Sequence, residues 1–195
     1  MEYPLELSFK IMSFGHHLSV TDATGTLIFY VKQKYFKLKE DVTVYADEQQ
    51  TNPIYKINAD RVIDFSARYN FTDMNGMGLG WVKRHGGRSL WKAHYEIADT
   101  LKPIMTIREE NPWVKVLDAL LREIPIIGLI SGYILHPAYR VTHDDDGTIV
   151  MLLKKRPSFF ERSFIIEKET ELDEEEQTRV LLSLLMMILL ERTRG

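Results

Sequence analysis

The chain of 195 residues contains no cysteine. Without cysteine there is neither a disulfide framework nor a zinc site with thiolate ligands, and thiol catalysis is excluded. The first ten residues, MEYPLELSFK, carry acids and lack the basic region and the apolar stretch of a signal peptide. We therefore expect a cytoplasmic protein.

The sequence also lacks an excess of positive charge. Its net charge is −3, and residues 1–166 hold 21 basic against 20 acidic side chains, while residues 167–176 hold seven acids and one lysine. Nucleic-acid binders gain affinity from counterion release under a strongly positive surface. The near-neutral body predicts no nucleic-acid partner, although a local basic patch is compatible with it.

Motifs for catalysis and cofactor binding are missing as well. There is no G-x-S-x-G sequence, and Ser131 lies in an apolar stretch without an evident base. The glycines of GMGLG (76–80) lie in a predicted hairpin and open no helix, so they indicate a bulge or a close backbone contact. Six histidines are scattered without an H-x-x-x-H pair, although facing strands could bring two together. We expect no enzyme, no cofactor and no metal site.

One long apolar run is present, the eleven residues 180–190, in which Ser183 is the single polar side chain. A helix needs roughly 20 apolar residues to cross about 30 Å of hydrocarbon, so this run is too short to be a transmembrane segment. It has no polar face either, which predicts a helix buried on all sides. Asp173 as N-cap, with Glu176 three residues later, begins this helix, which is predicted over residues 173–193.

The rest of the chain is dominated by strand patterns. Runs rich in Val, Ile, Phe, Tyr and Thr are broken by turn residues every eight to twelve positions. About a dozen short strands at hairpin spacing predict an antiparallel meander, closed as a barrel or stacked as a sandwich.

Three hairpins resemble one another, at residues 20–34, 71–85 and 141–156. Each passes from a β-branched or aromatic residue and Thr, through an acidic turn closed by glycine, into a strand followed by basic residues. Asp22 and Asp73 start the first two turns, and the left-handed position of each turn is predicted at Gly25, Gly76 and Gly147. Their spacing is too unequal for a solenoid and suits hairpins that repeat around a closed sheet.

A shorter helix is predicted at residues 112–123. Asn111 can cap it, Pro112 suits its first position, and Pro125 ends it. The loop that follows is unusually apolar for a connection. We interpret residues 112–130 as a helical and apolar insertion that packs down or lies over an opening of the barrel.

A meander of about twelve strands that ends in one wholly apolar helix resembles the tubby C-terminal-like fold, which phospholipid scramblases and LURP-one-related proteins share. The chain looks most similar to the LURP-one-related group. The residues behind this resemblance are KQKYFKLKEDVTVYADEQQTNPIYKIN, DMNGMGLGWVKRHGGRSLWKAHYEI, AYRVTHDDDGTIVMLLKKR and the acid-capped last helix. The likeness runs over roughly residues 5–190, and residues 111–130 depart from the compact plant members.

The resemblance implies both a fold and a class of function. It implies one α+β domain over residues 1–195, a closed antiparallel barrel of about twelve strands with the last helix threaded through it as its core. A barrel of that size encloses more volume than its own side chains fill, so a helix that is apolar all round completes the core. In tubby proteins the resemblance implies binding of phosphoinositide headgroups by basic side chains, and in scramblases a calcium-linked role at membranes.

Basic residues after the repeated hairpins are the candidate ligands for an anion such as a phospholipid headgroup. Several Lys and Arg near an anionic leaflet contribute about 1 kcal/mol each. The candidates are Lys32, Lys34, Lys83, Arg84, Arg88, Lys154, Lys155 and Arg156. The alternative is that basic residues at strand ends only keep the sheet edges hydrated and unpaired.

Two acidic segments raise the question of calcium. The stretch 167–176 and the turn 143–147 lack the glycine and the ligand spacing of an EF-hand. A solvated strand face, favourable charge at a helix N-terminus and turn chemistry account for both segments.

The leading hypothesis is a non-enzymatic binding module that lies peripherally on a membrane surface and engages an anionic lipid. The alternative is a protein-interaction or structural adaptor whose barrel surface or 112–130 segment docks on a partner chain. An enzyme or a lipid transporter has no catalytic constellation behind it.

Overall fold

The computed structural model describes residues 1–12, 15–33, 41–61, 67–85, 94–110, 138–156 and 162–192. Each of the twelve strands predicted from the sequence is present. They are β1 (Leu5–Met12), β2 (Gly15–Thr21), β3 (Leu27–Gln33), β4 (Asp41–Tyr45), β5 (Pro53–Ala59), β6 (Arg68–Asp73), β7 (Gly78–Arg84), β8 (His94–Ala98), β9 (Pro103–Glu109), β10 (Ala138–His143), β11 (Ile149–Lys155) and β12 (Arg162–Lys168).

The strands form a closed antiparallel meander. Each strand pairs with its neighbours in the chain, and β1 pairs with β12, Leu5 opposite Ile166 and Phe9 opposite Arg162, which closes the barrel. Closure joins the first strand to the last, so the described sheet has no terminal strand. Of the two architectures open at the level of sequence, the barrel is confirmed.

The three similar hairpins occupy equivalent places in this barrel. They are β2–β3, β6–β7 and β10–β11, separated by equal intervals of four strands in the closed order. Their register shifts in the same way just before the turn, after Val20, Phe71 and Val141. The predicted left-handed glycines have φ values of 82°, 86° and 73°, so the turn assignment is confirmed. The barrel therefore has approximate threefold internal repetition.

Each strand points alternate side chains inward. On β4, Val42 and Val44 are buried and the intervening Thr43 is not, as expected for a period of two. The inward side chains of the strands join one hydrophobic cluster with Val180 to Leu189 of the last helix.

The last helix, α1 (Glu174–Arg192), fills the barrel. Every residue from Val180 to Leu189 is at most 3% exposed, a burial that a helix lying on the outside of a sheet cannot reach. The Asp173 carboxylate accepts a hydrogen bond from the Glu176 amide at 2.8 Å, which confirms the predicted N-cap. In the described part of the chain, no helix has both the length and the apolar content needed to cross a membrane.

The helix runs alongside β7 in the same direction. Near its start, the Arg179 guanidinium donates to the Leu79 carbonyl oxygen, and near its end Glu191 accepts a hydrogen bond from Arg84. Gly80 of β7 lies close both to β8 and to the start of the helix. A Cβ at Gly80 would lie 2.2 Å from the Ala98 carbonyl oxygen and 2.8 Å from Arg179 Nε. Gly80, with φ of 120°, is thus a close backbone contact, one of the two roles predicted for GMGLG.

The predicted helix at 112–123, and the whole 112–130 segment, lie outside the described residues. The extent of the domain, 1–195, stays a prediction.

Replacing Leu185 by Asp should abolish folding, because a carboxylate would be placed inside an apolar core without a partner. We expect destabilisation of at least about 4–5 kcal/mol, measured as loss of soluble protein or of a cooperative urea transition. The matched control is Leu101→Asp, since Leu101 is 89% exposed, and it should leave the transition nearly unchanged. Equal effects at the two leucines would contradict the enclosed helix.

Candidate anion-binding rim

The strand directions divide the barrel into two ends. All odd-numbered strands finish at one end, and β3, β7 and β11 carry basic residues there; we call this end the basic rim. The even-numbered strands finish at the opposite end. Its connections, 22–26, 46–52, 74–77, 99–102, 144–148 and 169–173, contain Lys102 as their one basic residue among many acids; we call it the acidic end.

Three of the candidate ligands lie on the outer face at the basic rim. Lys32 on β3 is exposed, and Lys83 on β7 is half-buried opposite Glu96 of β8. Lys154 on β11 is exposed and forms an ion pair with Glu167 of β12. This cross-strand pair offsets part of the positive charge of Lys154.

Two of the remaining candidates, Lys155 and Arg156, lie at the end of β11. Arg156 is exposed and lies 3.3 Å from a carboxylate oxygen of Glu6, and Lys155 is partly buried. Lys34 and Arg88 lie outside the described residues.

The basic strand ends share a rim but not a single face. Twelve strands about 4.8 Å apart and tilted by about 40° make a barrel about 24 Å across. With β3, β7 and β11 four strand positions apart, their ends are separated by about 20 Å across the opening. That distance exceeds the reach of one lipid headgroup and matches a flat charged surface.

Arg84 is not at the surface with its neighbours. It points inward, is 6% exposed, and donates from Nε to Glu191 Oε1 at 3.2 Å. Tyr95 donates its hydroxyl to the same carboxylate oxygen at 2.7 Å, and its ring centroid lies 5.8 Å from the Arg84 guanidinium. Arg84, Tyr95 and Glu191 form an interior polar cluster at the C-terminal end of the helix, and Arg84 is therefore engaged by the protein itself.

Burial dominates the chemistry of the tyrosines in this region. Desolvation, followed by the negative charge of Glu191, raises the pKa of Tyr95 far above its usual range. Burial and then the charges of Glu109 and Glu191 raise the pKa of Tyr139 in the same way. Both phenols are therefore neutral hydroxyls, suited to holding a carboxylate and unsuited to acting as bases. Sequence reasoning missed this cluster because Arg84 and Glu191 lie 107 residues apart.

The acidic end is built from aspartates that cap their own turns. Asp73 accepts hydrogen bonds from the amides of Asn75 and Met77, and Asp99 accepts from the amides of Leu101 and Lys102. These hydrogen bonds, led by the amide donors of Met77 and Lys102, lower the pKa of Asp73 and of Asp99. Turn capping gives the same direction of shift at three further carboxylates, Asp22, Asp47 and Asp146.

Several carboxylates in the acidic segments considered for calcium are paired with other side chains of this protein. Glu167 pairs with Lys154, Glu171 lies 2.8 Å from Lys168, and Asp146 accepts hydrogen bonds from Thr148. Across the described residues, no group of three or more His, Asp or Glu side chains is arranged to hold a metal ion.

Facing strands do bring two histidines together. The rings of His85 and His94 stack with their centroids 4.6 Å apart, and His85 Nε2 lies 2.8 Å from Glu96 Oε1. Burial, then the neighbouring His85, lowers the pKa of His94. The two rings therefore pack against each other next to the basic rim.

The structure defines a class of protein fold, in which a closed twelve-stranded antiparallel barrel encloses the C-terminal helix of the same chain. The chain belongs to the LURP-one-related family, whose model matches residues 27–174. Strands β1 and β2 and almost all of helix α1 lie outside the matched residues. They nevertheless complete the barrel and its core. The family resemblance stated from the sequence is confirmed.

A solved structure is also similar to this chain. The X-ray structure of a protein from Arabidopsis thaliana shares 17% sequence identity with it, at a TM-score of 0.48. The similarity covers 96% of this chain and 90% of that chain. No curated protein matches the sequence significantly.

Replacing Arg84 by Met should destabilise the fold, because the largely buried Glu191 carboxylate would lose its cation. We expect about 3 kcal/mol less free energy of unfolding in urea. The double variant Arg84→Met with Glu191→Gln should recover part of that loss, since the isolated charge is then gone. Lys83→Met, one residue away on the outer face, is the control and should cost less than about 1 kcal/mol; equal losses at both positions would count against the interior cluster.

The aspartates that cap the turns at the acidic end should stabilise the fold at neutral pH, and this contribution should be lost in acid. A carboxyl whose pKa is lowered on folding contributes stability that is complete above about pH 3.9, the unfolded value, and is lost as the pH falls through the folded value. The triple variant Asp22→Asn, Asp73→Asn, Asp99→Asn should melt below the wild type at pH 7, and the difference should shrink below about pH 4. Glu169→Gln, an exposed acid outside these turns, is the control. A constant difference from pH 7 to pH 2.5 would exclude this linkage.

Proposed function

We propose that this protein is a non-enzymatic binding module whose basic rim engages an anionic ligand, such as a phospholipid headgroup, at a membrane surface. The observation that carries the proposal is the common strand direction, which puts Lys32, Lys83 and residues 154–156 at one end of the barrel. Residues far apart in the sequence thereby contribute to one charged rim.

The distribution of charge along the barrel axis supports an end-on approach. The opposite end contains Lys102 as the one basic residue of its six described connections, among several aspartates and glutamates. The charges are therefore unevenly distributed between the two ends, although Asp60 and Glu110 also lie at the end of the basic rim. Near an anionic surface, such a charge distribution favours the orientation with the basic rim toward the lipid.

The shape of the barrel bears on the kind of ligand. The interior is filled by the helix, whose residues from Val180 to Leu189 are buried, so the proposal places the ligand outside the barrel. The basic strand ends are about 20 Å apart across the rim, a separation that several headgroups in a bilayer can match and one soluble anion cannot. The proposal is therefore contact with a surface rather than capture of one molecule.

Lys32 is exposed and Lys83 is half-buried opposite Glu96, and the proposal assigns the lipid contact to these two lysines. Lys154 and Arg156 already face Glu167 and Glu6, which reduces the attraction they can offer a lipid. Each lysine near an anionic leaflet contributes about 1 kcal/mol, so these two together contribute about 2 kcal/mol. The proposed binding is peripheral, reversible and dependent on salt.

The test is co-sedimentation with vesicles of phosphatidylcholine containing about one-third phosphatidylserine. The wild type should sediment with these vesicles at low salt, and not with pure phosphatidylcholine. The variant Lys32→Gln, Lys83→Gln should bind about 30-fold more weakly, which corresponds to the loss of about 2 kcal/mol.

The matched control removes two positive charges elsewhere. Lys56 and Lys102 are both exposed, and Lys102 lies at the acidic end, so Lys56→Gln, Lys102→Gln has the same net charge as the rim variant. If the basic rim faces the membrane, this control variant should bind the anionic vesicles within about twofold of the wild-type affinity. If both variants bind equally weakly, net charge alone explains the effect and the rim is not the site. If the wild type does not bind the vesicles at all, the protein-adaptor alternative is favoured.

A further inference from the structure

The acidic end carries an exposed apolar patch on two neighbouring turns. Met74 and Met77 in the β6–β7 turn are 43% and 60% exposed, and Leu101 in the β8–β9 turn is 89% exposed. Together with Met1 these are the large hydrophobic side chains that the described part of the chain leaves exposed. We call Met74, Met77 and Leu101 the apolar turn patch.

The two turns touch one another. Because β7 pairs with β8, the turn before β7 lies next to the turn after β8, and a Cβ at Gly78 would lie 3.4 Å from Thr100 Cγ2. Met77 precedes Gly78 and Leu101 follows Thr100. Met74 and Met77 belong to one turn, in which the Asp73 amide donates to the Met77 carbonyl oxygen at 3.0 Å. The three exposed side chains therefore lie on two adjacent turns.

The turn does not need these apolar side chains. In the equivalent hairpin β2–β3, Thr26 stands where Met77 stands, and its amide donates to Asp22 at 3.0 Å as the Met77 amide donates to Asp73 at 2.7 Å. The residue equivalent to Met74 is Ala23, and the third hairpin has Thr148 in place of Met77. The β2–β3 turn thus has the same hydrogen bonds without methionine, so the exposed methionines have no structural reason in the turn itself.

Several carboxylates lie around the apolar turn patch, with Lys102, next to Leu101, as the one basic residue of these turns. Asp73 and Asp99 cap the two turns beneath it, and hydrogen bonding lowers the pKa of both, so both are charged at neutral pH. On one side lies the turn with Asp47, because β5 pairs with β6. On the other lies the turn 144–146, where the Asp144 amide donates to the Ile104 carbonyl oxygen at 3.0 Å. An anionic membrane would be repelled here, whereas a basic chain would be attracted.

We propose that the apolar turn patch is a docking site for a basic and apolar segment of a protein partner. Leucine, methionine or phenylalanine side chains of that segment would cover the patch, and its lysines or arginines would face the surrounding aspartates. Methionine is flexible and polarisable, which suits a surface that accepts more than one sequence. Three side chains offer a small apolar area, so the interaction is weak and reversible.

This proposal does not depend on the proposed function, because the patch lies at the end of the barrel opposite the basic rim. If both hold, the protein can contact an anionic surface with one end and a partner chain with the other. Failure of vesicle binding by the rim would leave the patch untouched, and the reverse is equally true.

The probe is a fluorescein-labelled 18-residue helical peptide made of leucine and lysine, followed by anisotropy with the full chain in 150 mM NaCl. The wild type should bind it, and the variant Met74→Ala, Met77→Thr, Leu101→Thr should bind at least about fivefold more weakly. The first two substitutions copy residues that the chain uses in its own equivalent turn, so folding is preserved. Leu101→Thr alone, at a side chain 89% exposed, provides a second variant.

Two further peptides separate the contributions. A peptide with glutamine in place of leucine should bind both proteins equally weakly, and one with glutamate in place of lysine should bind neither. Unchanged binding by the triple variant would overturn the proposal. Loss of binding to anionic vesicles in the triple variant would also overturn the proposal, because the occupant of the patch would then be a membrane. Loss of a dimer seen by sedimentation velocity would do the same, because the occupant would then be a second copy of the chain.

Discussion

The volume inside a closed barrel of twelve strands is the constraint on which the rest of this structure depends. Side chains from the wall of so wide a barrel leave the axis unfilled, and an empty axis would cost both dispersion and hydrophobic energy. The helix Glu174–Arg192 fills that space, and its apolar surface from Val180 to Leu189 contacts the wall on every side. The helix therefore carries no polar face from Val180 to Leu189 apart from Ser183, and it completes the core that the barrel encloses.

Polar contacts at both ends position the helix along the axis. Near its start, Arg179 donates to the Leu79 carbonyl oxygen beside Gly80, where no side chain would fit. Near its end, Glu191 accepts hydrogen bonds from Arg84 and Tyr95. An apolar helix in an apolar barrel could slide by a turn at little cost, whereas these directional contacts hold at one register only. We infer that they determine the depth of the helix.

Antiparallel topology is also what separates the charges. Consecutive strands run in opposite directions, so the basic residues that end β3, β7 and β11 collect at one end, and the aspartates of the intervening turns collect at the other. A chain with a net charge of −3 thereby acquires a basic rim and an acidic end. The threefold repetition of the hairpins spreads the basic ends around the rim.

The sequence by itself determined the elements, while their patterns left a barrel and a sandwich open. Runs rich in Val, Ile, Phe, Tyr and Thr marked about a dozen strands, acidic turns closed by Gly25, Gly76 and Gly147 marked the repeated hairpins, and the eleven-residue apolar run identified the core helix. These signals are local, because each depends on residues within one strand, turn or helix. The tertiary structure alone decided that Arg84 points inward to Glu191 while Lys83 points outward, since one step along a strand reverses the side chain. It also decided which turns are neighbours, because contacts between residues distant in the chain follow from the closed strand order and leave no local pattern in the sequence.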